Sequence, residues 1–236
     1  MNKQSKKILL IGLSLLIMSL GAFASENAKK MDKMRYQAVS AEKATIVQEG
    51  DSKNFCPVCG MTLPGFYKTN HAAKHEGHNK QYCSIHCVVE DKEVNGSNLT
   101  DIKVVDNKSL KLIDAKSAFY VVGSSKPATM AMISKYGFSN EADAKAFQKA
   151  NGGEIQSYDE VYASVAKGMQ AEKAMIAKRQ KKMQMMGEKV YNKMCKKTDE
   201  KFSSVAQAKT FITKNNLCGN MKGKNLQAVG IYLGRR

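Results

Sequence analysis

Four of the six cysteines and all four histidines of this chain lie between residues 56 and 87. That crowding constrains the fold more than any other feature. The first pair sits in Phe55-Cys56-Pro57-Val58-Cys59-Gly60-Met61. Pro57 sets φ after the first sulfur and Gly60 permits a positive φ after the second, so both thiolates can turn toward one ion. The second pair, Cys83 and Cys87, brackets His86. Its i, i+4 spacing puts both sulfurs on one face of a first helical turn. Two such pairs make a soft pocket for zinc or cuprous copper, and the pattern alone does not choose between them.

The segment 1–24 reads as a secretory signal. Lys3, Lys6 and Lys7 form a basic start, residues 8–20 an apolar core, and Ala22-Phe23-Ala24 a cleavage site before Ser25. An uncleaved N-terminal anchor is the alternative, although the apolar run is short for a span. The expected compartment is periplasmic and oxidising, where free thiols pair unless a metal holds them. Removing the signal takes the net charge from +17 to +14. Lysines spread singly along the chain suit an acidic partner or loose contact with an anionic membrane surface. No aromatic-interleaved basic motif is present, so nucleic acid is not an expected partner.

With 236 residues, 43% of them hydrophobic, the chain can fill one domain and a smaller second one. The expected class is α+β, a small strand–helix metal-binding domain with a helical C-terminal extension. The expected segments are a signal peptide over 1–24, a flexible leader over 25–44, a metal-binding domain over 45–156, a helical connector over 157–186 and a small helical unit over 187–236.

Within the metal-binding domain, strands are expected to start at 44–47 and to cover 66–68, 81–83, 102–106, 110–113 and 118–122. Residues 69–80 read as a loop and 124–137 as irregular. A short helix is expected to carry Cys87, and another to run over 140–150 until Gly152-Gly153 stop it. Ser157 and Glu160 form a capping box that opens a long helix with Val161, Val165 and Met169 as its apolar stripe. Further helices are expected over 187–196, from Ser204 to 214, and over 224–233.

Cys56 and Cys59 are the first candidate ligands, with a disulfide between them as the alternative. Cys83 and Cys87 either complete the same site or form a second disulfide. Met61 and Met130 offer thioethers, which suit Cu(I), or they are core methionines. His86 is a further candidate beside the second pair. His71, His75 and His78 read as a solvated loop or as a surface capture site for copper or zinc. The methionines at 169, 175, 183, 185, 186 and 194 read as packing or as a ferrying stripe. Cys195 and Cys218 read as a disulfide, worth about 3 kcal/mol for a loop of that length, or as a second thiolate site.

From Cys56 to about Gly153 the sequence resembles the NosL family of nitrous oxide reductase accessory proteins. The residues that carry the likeness are Cys56-Pro57-Val58-Cys59-Gly60-Met61, the strand from Phe119 to Gly123, Thr129-Met130, and Phe138, Ala144, Phe147 and Gly152-Gly153. The resemblance implies small α+β units, Cu(I) binding and delivery of copper to the reductase or another periplasmic metalloprotein. Two features depart from that pattern. No lipobox cysteine follows the apolar run, and Gln81-Tyr82-Cys83-Ser84-Ile85-His86-Cys87 looks more like the second half of a TRASH-type metal domain. The segment 187–195 and residues 226–233 resemble the first and last helices of small c-type cytochromes without the haem motif.

No catalytic triad, P-loop or dinucleotide fingerprint is present, so the chain is not expected to be an enzyme. The expected function is a Cu(I) metallochaperone. The alternatives are a structural zinc module that mediates protein interaction, or a thiol–disulfide oxidoreductase.

Overall fold

The structure is a computed structural model and describes residues 35–236. The signal segment and the first part of the leader lie outside the described residues. Among the described residues, no helix is long and apolar enough to cross a membrane.

Within residues 36–44, expected to be part of a flexible leader, Gln37 and Val39 are buried, while residues 41–43 are exposed. Tyr36 meets Tyr136 edge-on at 5.5 Å, and the Val39 amide donates to the Pro64 carbonyl at 3.1 Å. Apolar side chains there gain more by burial than a solvated leader would. Residues 44–47 form no strand; the Val47 amide instead donates to the Gln81 side chain at 2.9 Å. Residues 66–68 are not a strand either. They lie in a 3₁₀ turn over Pro64–Thr69, started by the fixed φ of Pro64, with Tyr67 buried.

The expected loop at 69–80 is a hairpin. Strand β1 (His71–His75) pairs antiparallel with β2 (His78–Tyr82), and His75 faces His78 at the turn. Glu76 and Gly77 both take positive φ (50° and 81°), as a tight two-residue hairpin turn requires. Glu-Gly is a weak form of the Asn-Gly signal, and the polar side chains hide the pairing. Strands β3 (Thr100–Val105) and β4 (Leu112–Asp114) complete a four-stranded sheet in the order β2-β1-β3-β4. Between β2 and β3 lies a one-turn helix, α1 (Ile85–Val89), continued by a wider turn over Glu90–Val94.

A second sheet has β5 (Phe119–Val122) between β6 (Lys135–Phe138) and β7 (Glu154–Gln156). Neither outer strand was expected, because each is too short to show alternation. Helix α2 (Glu141–Asn151) is capped by Asn140, ends at Gly152 with φ 71°, and covers this sheet through Ala144 and Phe147. The sheets meet where Gly137 passes Val104; a Cβ at Gly137 would sit 2.8 Å from Val104 Cγ2.

Helix α3 (Tyr158–Met194) opens with the capping box of Ser157 and Glu160. Its first turns bury Val161, Val165 and Met169 against Ile85, Val89, Val104 and Tyr120. The expected connector and the first helix of the C-terminal unit are one uninterrupted helix of 37 residues, because nothing between 157 and 194 breaks it. Two shorter helices, α4 (Val205–Lys214) and α5 (Gly223–Leu233), close a core of Tyr191, Ile212, Leu226, Val229 and Leu233 with its end. Cys195 and Cys218 form the expected disulfide at that end.

Candidate metal centre

The first cysteine pair sits on a tight loop. The Gly60 amide donates to the Cys56 carbonyl and the Cys56 amide to the Met61 carbonyl, both at 2.8 Å. Gly60 adopts φ 71°, the left-handed conformation that lets the chain turn back after Cys59. Cys83 leaves the end of β2, and Cys87 sits in α1. The Thr69 hydroxyl donates to the Cys83 carbonyl at 2.8 Å, and Thr129 Oγ1 lies 2.9 Å from the same hydroxyl.

These elements bring four sulfurs together. The Sγ atoms of Cys56, Cys59, Cys83 and Cys87 all lie within 4.8 Å of one another, and all four cysteines are buried and unpaired. Cys59 and Cys83 are 3.4 Å apart at sulfur, Cys83 and Cys87 3.7 Å. A tetrahedral ion with metal–sulfur bonds of about 2.3 Å needs sulfurs about 3.8 Å apart. The cluster is close to that spacing and far from the about 2 Å of a disulfide. Its donors are the soft thiolates that Cu(I) and zinc prefer.

Burial opposes ionisation of Cys56, but hydrogen bonds from Cys59, Cys83 and Cys87 outweigh it and hold this thiol well below the usual range. Cys83 is pushed well up by its hydrogen bonds to Cys56 and Cys59, and Cys87 by those to Cys56, Cys59 and Cys83; burial adds to both. These opposite shifts favour a thiolate at Cys56 and protons on Cys83 and Cys87. A soft cation entering here would displace those protons.

Met61 and Met130 both pack against the sulfur cluster, alongside Leu63, Tyr82 and Leu99. Met130 does so from a left-handed backbone, φ 57°. His86, expected beside the sulfurs, is directed elsewhere. Its ring nitrogens lie 3.8 Å from Glu90 and 3.6 Å from Glu172, and Nδ1 has no hydrogen-bond partner. Consecutive helical residues point about 100° apart, so Cys87 and His86 cannot share a face. Burial lowers the pKa of His86, against the pull of Glu172.

The three remaining histidines form no common capture site. His71 is buried: its Nδ1 lies 3.2 Å from the Thr69 carbonyl and its Nε2 3.1 Å from the Tyr120 hydroxyl. The carbonyl can only accept, so Nδ1 carries the proton and Tyr120 donates to Nε2. His75 and His78 sit together at the hairpin turn, away from it.

Residues far along the chain also reach the loop. Lys209 of α4 donates to the Gly60 carbonyl at 2.6 Å, and Gln227 of α5 to the Cys59 carbonyl at 2.9 Å. The sequence carries one signal of this. Lys209 falls on the apolar stripe of α4 with Val205 and Ile212, where a solvated lysine does not belong.

The model of the NosL family matches residues 47–166, just over half of the chain. The chain belongs to the NosL family. The NosL match takes in the cysteine cluster, both sheets and the first turns of α3, and leaves α4 and α5 outside. Among solved structures the chain is similar to the copper chaperone NosL from Shewanella denitrificans, with 25% identity and a TM-score of 0.38. That match covers 48% of this chain and 92% of the other. A search of curated proteins gives no match.

Proposed function

We propose that this NosL-family chain is a Cu(I) chaperone that carries the ion on Cys56, Cys59, Cys83 and Cys87. The observation that carries the reading is the buried convergence of four sulfurs. The donors are soft, the surroundings are apolar, and Met61 and Met130 stand by as thioether donors. The solved NosL named above is itself described as a copper chaperone. The chain acts as a carrier, so its task is ligand exchange. Cys59 is 8% exposed while Cys56, Cys83 and Cys87 are fully buried, which makes Cys59 the proposed point of entry for a partner's donor. The proposed recipient is a copper enzyme, nitrous oxide reductase being the one the family resemblance implies. The proposed compartment is the periplasm, reached through the signal read over residues 1–24.

The test is anaerobic purification, elemental analysis and Cu(I) titration against a competing chelator. One tight Cu(I) per chain, lost in Cys56→Ser/Cys59→Ser, is the expected result. Tight binding that survives this double substitution sinks the proposal. A buried set of four sulfurs also suits structural zinc. That second reading predicts one zinc on arrival, which copper displaces only with unfolding.

A further inference from the structure

Lys209 is 1% exposed, and among the described residues no carboxylate pairs with it. Its Nζ donates to the Gly60 carbonyl at 2.6 Å, to Thr62 Oγ1 at 3.2 Å and to Gln227 Oε1 at 2.9 Å, and lies 4.3 Å from the centre of the Phe55 ring. A buried ammonium without a counter-charge is costly, and chains normally avoid it. Here the packing is built to admit it. A Cβ on Gly230 would fall 2.4 Å from Lys209 Cγ, so the glycine in α5 is what lets the stem pass. The Gly60 carbonyl it binds directly follows Cys59, and the charge that acts on the ammonium is that of the cysteine loop. Burial outweighs the pull of Cys59 and Cys56 and leaves the Lys209 pKa at about 8. Its three acceptors match the three N–H donors of an ammonium, so the group is held in its protonated form.

We propose that α4 and α5 form the outer wall of the metal site and that Lys209 is its positioning cation, favouring Cu(I) over Zn(II). The inference rests on the metal-carrier reading above. For the same set of thiolates, a Cu(I) complex carries one more negative charge than a Zn(II) complex. A fixed positive charge across the loop therefore stabilises the Cu(I) form more. Through the Gly60 and Cys59 carbonyls, Lys209 and Gln227 also hold the loop in the conformation that turns its sulfurs inward. Lys209 does not touch the ion; it acts through the loop and its field, as outer partners of metal ligands do.

The test compares Cu(I) and Zn(II) affinities of the full chain and of Lys209→Met by chelator competition, with helicity as the fold check. The expected result is a loss of Cu(I) affinity of roughly 10- to 100-fold, with a smaller loss for Zn(II). A purely structural lysine would weaken both metals alike, so an unchanged Cu(I)/Zn(II) ratio overturns the proposal. Lys209→Gln, which keeps a donor but loses the charge, is read in the same way if the methionine variant does not fold. Hydrogen–deuterium exchange on the unaltered chain gives an independent reading. Cu(I) loading should slow exchange in residues 205–214 and 223–233, and equal exchange with and without the ion overturns the wall. An unaltered chain that binds neither metal overturns the carrier reading, and this one with it. Metal binding with an unchanged ratio overturns this one alone.

Discussion

Gly60 and Val205 meet with no room for a methyl group between them. A Cβ on Gly60 would fall 2.3 Å from Val205 Cγ1, and Gly60 already holds φ 71°. Gly60→Ala therefore has to strain the backbone and push α4 off the cysteine loop together. Each effect costs about 1–3 kcal/mol. Urea unfolding should show a loss of about 3 kcal/mol; a loss under 1 kcal/mol would mean that α4 does not sit against the loop.

Burial pushes the His71 imidazole down to about 4, against the pull of the Thr69 carbonyl. The folded state thus binds fewer protons than the unfolded state between the ordinary histidine value of 6.5 and pH 4. Stability is full above that window and falls as pH drops through it, by about 3 kcal/mol from this residue. His71→Gln should flatten the slope of stability between pH 6.5 and 4. An unchanged slope would show that other groups carry the acid sensitivity.

The bond between Cys195 and Cys218 ties the end of α3 to the segment after α4 across a separation of 23 residues. Replacing both with alanine should cost about 3 kcal/mol through the freed unfolded chain. Guanidinium melts of the oxidised protein and the double variant measure this directly. The sulfur cluster is elsewhere, so metal stoichiometry should not change.

Asp91 accepts from the Tyr82 hydroxyl at 2.7 Å, from Lys80 and Ser97 at 3.0 Å and from Asn95 at 3.2 Å. Burial alone would raise its pKa, and these four donors lower it instead. Tyr82→Phe removes one strong donor next to Cys83 and should cost about 2 kcal/mol. Equilibrium unfolding near neutral pH tests this, and a neutral result would show that water replaces the phenol.

The cysteine cluster was legible because its chemistry is local: each pair shows its geometry within five residues. Ser157, Ser204 and the pair Gly152-Gly153 marked helix boundaries for the same reason. What failed depended on distance. The β1–β2 hairpin is half polar because one end is solvated, so its alternation reads as loop. The side chain of His86 was placed by proximity in sequence, whereas α1 turns it toward Glu172 on α3. Lys209 and Gly60 are separated by 149 residues, and no local pattern joins them.

That same separation has a consequence in time. Local turns close quickly, while contacts between distant segments come late. A chain made from its N-terminus presents Cys56 through Cys87 long before α4 and α5 exist to cover them. The sulfurs are therefore most open to metal, and to oxidants, as the chain emerges rather than once it has finished folding.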